Sequence, residues 1–156
     1  SGLAAEVMAE PTTVREAIEH VIAGVTDGEL VIHDRVLKHV ERQRLALDPL
    51  HLRDTLSTIR DVARQCRSNH GDGRSPTDYF RERGVTYKAD VSETARQQYA
   101  ADYTIEIDRD GTRERVLMGP HVDLTIRHRI HWYHDKDAGR FIVGHIGDHL
   151  RDASTR

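Results

Sequence analysis

The chain has 156 residues, 37% hydrophobic and 31% charged, with a formal charge of −3 when its eleven histidines are neutral. So small a net charge argues against a protein that simply coats nucleic acid, while leaving room for a local basic patch. The single cysteine, Cys66, excludes an internal disulfide framework and a CxxC zinc site, and no apolar run approaches the roughly 20 residues of a membrane span.

The length fits one domain, or a helical segment attached to a small sheet domain. Without an apolar span or a signal-peptide hydrophobic region, a cytoplasmic protein with no membrane association is the expectation. Ser1-Gly2 reads as a remnant of tag removal and is set aside.

Thr13 and Glu16 have the spacing of a capping box, and Val14, Ala17, Ile18, Val21, Ile22 and Val25 follow at helical intervals. That helix ends near Asp27-Gly28. A second is expected from about Glu29 to Ala46, with Val36, Leu37 and Val40 on one side. Asp48-Pro49 restarts the chain as cap and first helical residue. Leu52, Leu56, Ile59, Val62, Ala63 and Cys66 then mark the buried stripe of a third helix. The glycine-rich segment from Arg67 to Pro76 is a loop, so a three-helix segment over 1–68 and an α+β segment over 69–156 are expected. The sequence leaves open whether the two form one compact domain. Short helices follow from Pro76 to Gly84 and from Ser92, as cap, to about Tyr99.

From Tyr103 the period changes to two, with Tyr103, Ile105 and Ile107 alternating with Thr104, Glu106 and Asp108. Asp110-Gly111 signals a hairpin. Gly119-Pro120 breaks the chain before a long strand over about 121–134, and a last strand covers about 140–146. N-terminal helices followed by a C-terminal antiparallel meander of about four strands make an α+β fold.

The histidine-rich stretch from Arg127 to Leu150 is the most unusual feature. Alternation places His128 and His134 with Val122, Leu124, Ile126, Ile130 and Trp132 on a face toward the helices. The opposite face carries Asp123, Thr125, Arg127, Arg129, His131 and Tyr133. On the last strand the same rule sets Phe141, Val143 and His145 on one side and Ile142 and Ile146 on the other. Arginine forks bind phosphate bidentately, histidine titrates near neutrality, and tyrosine stacks on bases. The polar face therefore carries groups suited to RNA binding, or to phosphodiester cleavage by general acid–base catalysis. An ordinary solvated sheet face has the same alternation.

A metal centre is not expected. His128 and His134 lie about 20 Å apart along one strand and cannot share an ion. His131 and His145 come close only if the hairpin register pairs them, and His121 with Asp123 would supply just two ligands. Glu106, Asp108 and Asp110 read as a solvated hairpin tip. Gly144 and Gly147 suggest a bulge, a close approach of backbone, or a tight strand exit.

The residues from His128 to Leu150, "HRIHWYHDKDAGRFIVGHIGDHL", resemble the C-terminal hairpin of RelE/ParE-like toxins, with an arginine-isoleucine strand, a short polar turn and an apolar strand reaching a glycine-histidine. The resemblance implies a ribosome-dependent mRNA endonuclease or a gyrase-directed toxin held by an antitoxin. Arg127 or Arg129 would then stabilise the phosphate, with His131, Tyr133 or His145 as acid or base. The chain departs from that family in its length, its lack of net basic charge and its N-terminal helices.

The expectation is a small binding protein that meets nucleic acid (RNA) or a partner protein through Thr125, Arg127 and Arg129. Its alternative is a metal-independent ribonuclease of the RelE-like type using His131, Tyr133 and His145. No cofactor or metal is expected, and the N-terminal helices are candidates for a homodimer interface.

Overall fold

The computed structural model describes residues 9–42 and 45–152. Ser1 and Gly2, and residues 43 and 44 of the expected second helix, lie outside the described residues. The fold is α+β: helices followed by a mixed sheet. No described helix is long and apolar enough to cross a membrane.

Helix α1, Val14–Ala23, starts where Thr13 accepts a hydrogen bond from the Glu16 amide. The Glu16 carboxylate returns to the amide and hydroxyl of Thr12, so the reciprocal half of the capping box is displaced by one residue. The expected second helix begins later than its sequence suggests. Leu30–Ile32 is strand β1, parallel to the C-terminal strand, and helix α2 follows over Asp34–Arg42. A short, uninterrupted apolar run is how a strand buried on both faces reads, and periodicity alone does not separate it from a helix. Glu29 leads into it, wholly buried. Against the desolvation of burial, the amides of Thr26 and Asp27 and the Arg64 guanidinium hold its carboxyl down at about 2.

Helix α3, Pro49–Ser68, begins where Asp48 accepts from the Leu50 amide at 3.0 Å. Ser75 caps α4, Pro76–Glu82, and Ser92 caps α5, Glu93–Gln98; a four-residue turn, α6, Ala100–Tyr103, leads into the hairpin. Strands β3, Thr104–Arg109, and β4, Thr112–Leu117, meet at Asp110-Gly111, both at positive φ (54° and 83°), the conformation that the Asp-Gly signal requires.

The expectation of one antiparallel meander is corrected in two ways. The β3–β4 hairpin is a sheet of its own, and the larger sheet is mixed. Its order is β1-β7-β6-β5-β2, where β2 is Tyr87–Lys88, β5 His121–Asp123, β6 His128–Asp135 and β7 Arg140–Asp148. The expected long strand over 121–134 is also interrupted, because the chain turns between Asp123 and His128. The Thr125 hydroxyl accepts from the amides of Arg127 and His128 and closes that turn. Ile126, expected in the core, stands 95% exposed at its tip.

The main core joins α1, α3 and α4 to one face of the sheet, through Ile18, Leu56, Ile59 and Phe80 against Leu30, Ile130, Trp132, Phe141 and Val143. The other face is not solvated. The hairpin lies over it, with Ile105, Ile107, Val116 and Met118 packed on Ile142, Val31 and Tyr133. Buried Asp135 fixes this layer by ion pairs to Arg109 of β3 (3.2 Å) and Arg140 of β7 (3.0 Å).

Gly144 permits that close approach. A Cβ on it would lie 2.4 Å from Met118 Sδ and 2.9 Å from Ile105 Cγ2. Gly144→Val should therefore displace the hairpin and cost about 1–3 kcal/mol or more, as overpacking does. Thermal denaturation with near-UV circular dichroism checks this; an unchanged melting temperature would show that the hairpin is not seated there.

Candidate functional site

The register between β6 and β7 slips between His131 and Trp132, where His131 faces His145 and Trp132 faces Val143. Gly144 is the extra residue of this bulge. One inserted residue reverses the inside–outside alternation beyond it. His145 therefore leaves the face of Phe141 and Val143, where strict alternation put it, and joins His131 beneath the hairpin layer.

The result is a row of imidazoles across the covered face. His121 stacks on His131 with ring centroids 4.6 Å apart and an interplanar angle of 24°. His131 is 5.8 Å from His145, and His145 is 5.9 Å from His39 of α2. Tyr103 meets His131 edge-on at 5.4 Å. His121 Nδ1 contacts the Gly119 carbonyl at 2.9 Å, and His145 Nε2 contacts the Asp148 carbonyl at 2.7 Å. Both rings are neutral donors there, because burial depresses both pKa values, that of His145 to about 4. His131 is 0% exposed, and neither of its nitrogens forms a hydrogen bond among the described residues. Burial, then the neighbouring His121, His145 and Arg129, push its pKa down to about 2 against the Met118 backbone, which lies near enough to the ring to raise it but not in hydrogen-bond geometry. No group of three or more His, Cys, Asp or Glu among the described residues could hold a metal ion, and nearly parallel stacked rings do not aim their lone pairs at one point.

Two openings flank this row. The larger is a groove of about 1010 Å³ between α2, the hairpin and the end of β7. Arg35, Lys38 and Arg42 line it from α2, Arg113 from β4 and Arg140 from β7, against the carboxylates of Asp34, Glu106 and Asp108. His33, His39 and His145 complete its lining. Arg35 donates to the carbonyls of Asp102 and Thr104, both at 3.1 Å, and His33 Nε2 contacts the Glu106 carbonyl at 2.8 Å. These contacts tie α2 to the hairpin and fix the groove's width. Arg113 pairs with Glu106, and Arg140 with Asp135. Among the described residues Lys38 and Arg42 have no ion-pair partner, and Asp34, in the first turn of α2, faces the positive end of its helix dipole.

The smaller opening, of about 220 Å³, lies on the far side of the row, between residues 88–92 and strands β5 and β6. His121, His131, Arg129 and Lys88 line it.

The residues expected to form one polar face are thus distributed. His131 and His145 come together but are buried. Arg129 shares the small pocket with His131, held by Asp123 at 2.9 Å and Asp152 at 3.6 Å. Tyr133 packs in the hairpin layer, where burial raises its pKa. Thr125 and Arg127 sit in the exposed turn before β6. His39, Lys38, Arg42 and Lys88 stand outside the expected polar face. The only available signal for the first three was the basic polar side of a helix, which an ordinary solvated helix also presents. The chain matches no family model, no curated protein sequence and no solved structure.

Proposed function

We propose that the protein is a binding module that holds single-stranded RNA in the groove between α2 and the hairpin. The observation that carries this reading is the cation excess of the groove, five against three, with Lys38 and Arg42 left without ion-pair partners among the described residues. The two are four residues apart, so they stand on one side of the helix, one turn from each other. An anionic strand lying along α2 would neutralise both. A local patch of this kind works in spite of a net charge of −3. Relative to the sequence expectation, the contact surface moves from Thr125, Arg127 and Arg129 to the opposite side of the histidine row.

Fluorescence anisotropy with a labelled short single-stranded RNA tests this. Affinity should fall with salt, and Lys38→Glu/Arg42→Glu should weaken binding and flatten the log–log salt slope by about 1.4, the share of two phosphate contacts on a single strand. Unchanged affinity and slope in the double variant would sink the reading.

The ribonuclease alternative has one supporting observation. Of His131, Tyr133 and His145, His145 lines the groove, and its Nδ1 forms no hydrogen bond among the described residues. A neutral imidazole so placed is a base. The same RNA mixtures, run on a denaturing gel, should show cleavage that disappears in His145→Gln if this alternative holds, and intact RNA if the protein only binds.

A further inference from the structure

The β3–β4 hairpin has one closed edge and one open edge. Met118 bonds through its amide to the Tyr103 carbonyl at 2.7 Å, and Val116, Glu114 and Thr112 follow opposite Ile105, Ile107 and Arg109. In an antiparallel pair the residues between the bonded ones turn their amides and carbonyls outward. On β3 these are Thr104, Glu106 and Asp108, and α2 closes that edge. Arg35 donates to the Thr104 carbonyl at 3.1 Å and His33 contacts the Glu106 carbonyl at 2.8 Å. On β4 the outward residues are Arg113, Arg115 and Leu117. Among the described residues β4 has no neighbouring strand except β3, and of these outward backbone groups only the Leu117 carbonyl is bonded, to the Gly119 amide.

An unpaired strand edge is a template for another strand, and its side chains decide which one. The hairpin face turned away from the sheet carries two rows of charge. Glu106 and Asp108 stand on β3, with Arg115 and Arg113 directly opposite on β4. Both arginines are exposed; Arg113 reaches Glu106 at 3.2 Å, and Arg115 has no ion-pair partner among the described residues. The basic row is the one at the open edge. A second copy offering its β4 would set arginine against arginine, and like charges facing each other across a ladder are unfavourable. Its β3 has no free edge to offer. What fits is an extended segment of another protein with carboxylates two residues apart, which continues the rows as acidic, basic, acidic over three strands.

We propose that β4 is a docking edge for an acidic, extended segment of a partner protein, which joins the hairpin as a third strand. Backbone groups of Arg113, Arg115 and Leu117 hold the segment, and the two arginine side chains select its carboxylates. This edge is independent of the RNA reading, because Arg115 does not line the groove.

The test follows the amide signals of the isotope-labelled full chain during titration with a capped octapeptide of alternating glutamate and threonine. The amides of Arg113, Arg115 and Leu117 should shift along one saturable curve, and their exchange with solvent should slow. The same peptide with every amide N-methylated should not bind, because it cannot form the ladder. Arg115→Glu should weaken the glutamate peptide about tenfold and favour a peptide with lysine in place of glutamate. Lys38→Glu/Arg42→Glu should leave peptide binding unchanged, which separates this edge from the groove. Unmoved amides at the three positions, equal binding of the N-methylated peptide, or full affinity in Arg115→Glu would overturn the proposal. So would concentration-dependent dimerisation that protects the same amides, since it would place a second copy there.

Discussion

Acidification from about pH 7 to about pH 5 should strip the protein of a large share of its stability, through histidines and ahead of the carboxylates. Burial depresses His131 to about 2 and His134 and His145 to about 4, from an ordinary value of 6.5. Burial also lowers His121 and His149. Below 6.5 the unfolded chain takes up protons that the folded chain refuses, so stability present above that value is lost as the pH falls. For His134 and His145 the loss is complete near their folded values of about 4. Near pH 5 buried His131 and His145 each contribute a loss of about 2 kcal/mol, about 4 together, and half-buried His134 less because solvent screens it, against a total of about 5–15 for a domain. Carboxylates held low, such as Glu29 at about 2, add their loss only at more acid pH. Urea denaturation at stepped pH measures this. His131→Phe should flatten the dependence and raise stability at neutral pH, because an apolar ring replaces a buried imidazole with no hydrogen bond. A stability that is flat between pH 7 and pH 5 would show that these rings are not buried neutral.

Truncation of Trp132 should have the next largest effect. The indole is 0% exposed, and it lies 5.8 Å from Phe80, 5.8 Å from Tyr87 and 5.5 Å from Phe141. Removal of a buried aromatic of this size costs about 3–5 kcal/mol. Its Nε1 forms no hydrogen bond among the described residues, so Trp132→Phe gives up volume and an unpaired donor together and should cost far less than Trp132→Ala. Chemical denaturation of the two variants gives both numbers. Equal losses would mean that the ring is not packed among Phe80, Tyr87 and Phe141. The residue couples the two layers, because it stands on β6 beside His131 but points to the opposite side of the sheet. Its loss should loosen the main core first and the histidine row second.

Local chemistry made much of the fold legible. Thr13, Asp48 and Ser92 each cap the helix that their spacing predicts, and Asp110-Gly111 turns the hairpin. What escaped was non-local. Leu30–Ile32 reads as helix or strand until β7 is known to lie beside it. The parity of His145 depends on one inserted glycine, and the polar look of the His131 face on whether another layer covers it. Ile105, Ile107, Val116 and Met118 form an apolar stripe that had to be buried somewhere, but alternation does not say against what. The pairing of His131 with His145 was foreseeable as one register among several. Their burial was not, since a histidine on a polar-looking strand is ordinarily solvated.

The groove reading is tested most directly by the histidine ring signals of the labelled protein, followed as single-stranded RNA is added. His33, His39 and His145 line the groove, whereas His70 is exposed in the glycine-rich loop after α3. The three groove signals should shift together along one saturable curve while His70 stays in place. RNA that leaves all three unmoved, or that shifts His70 with them, would contradict that reading.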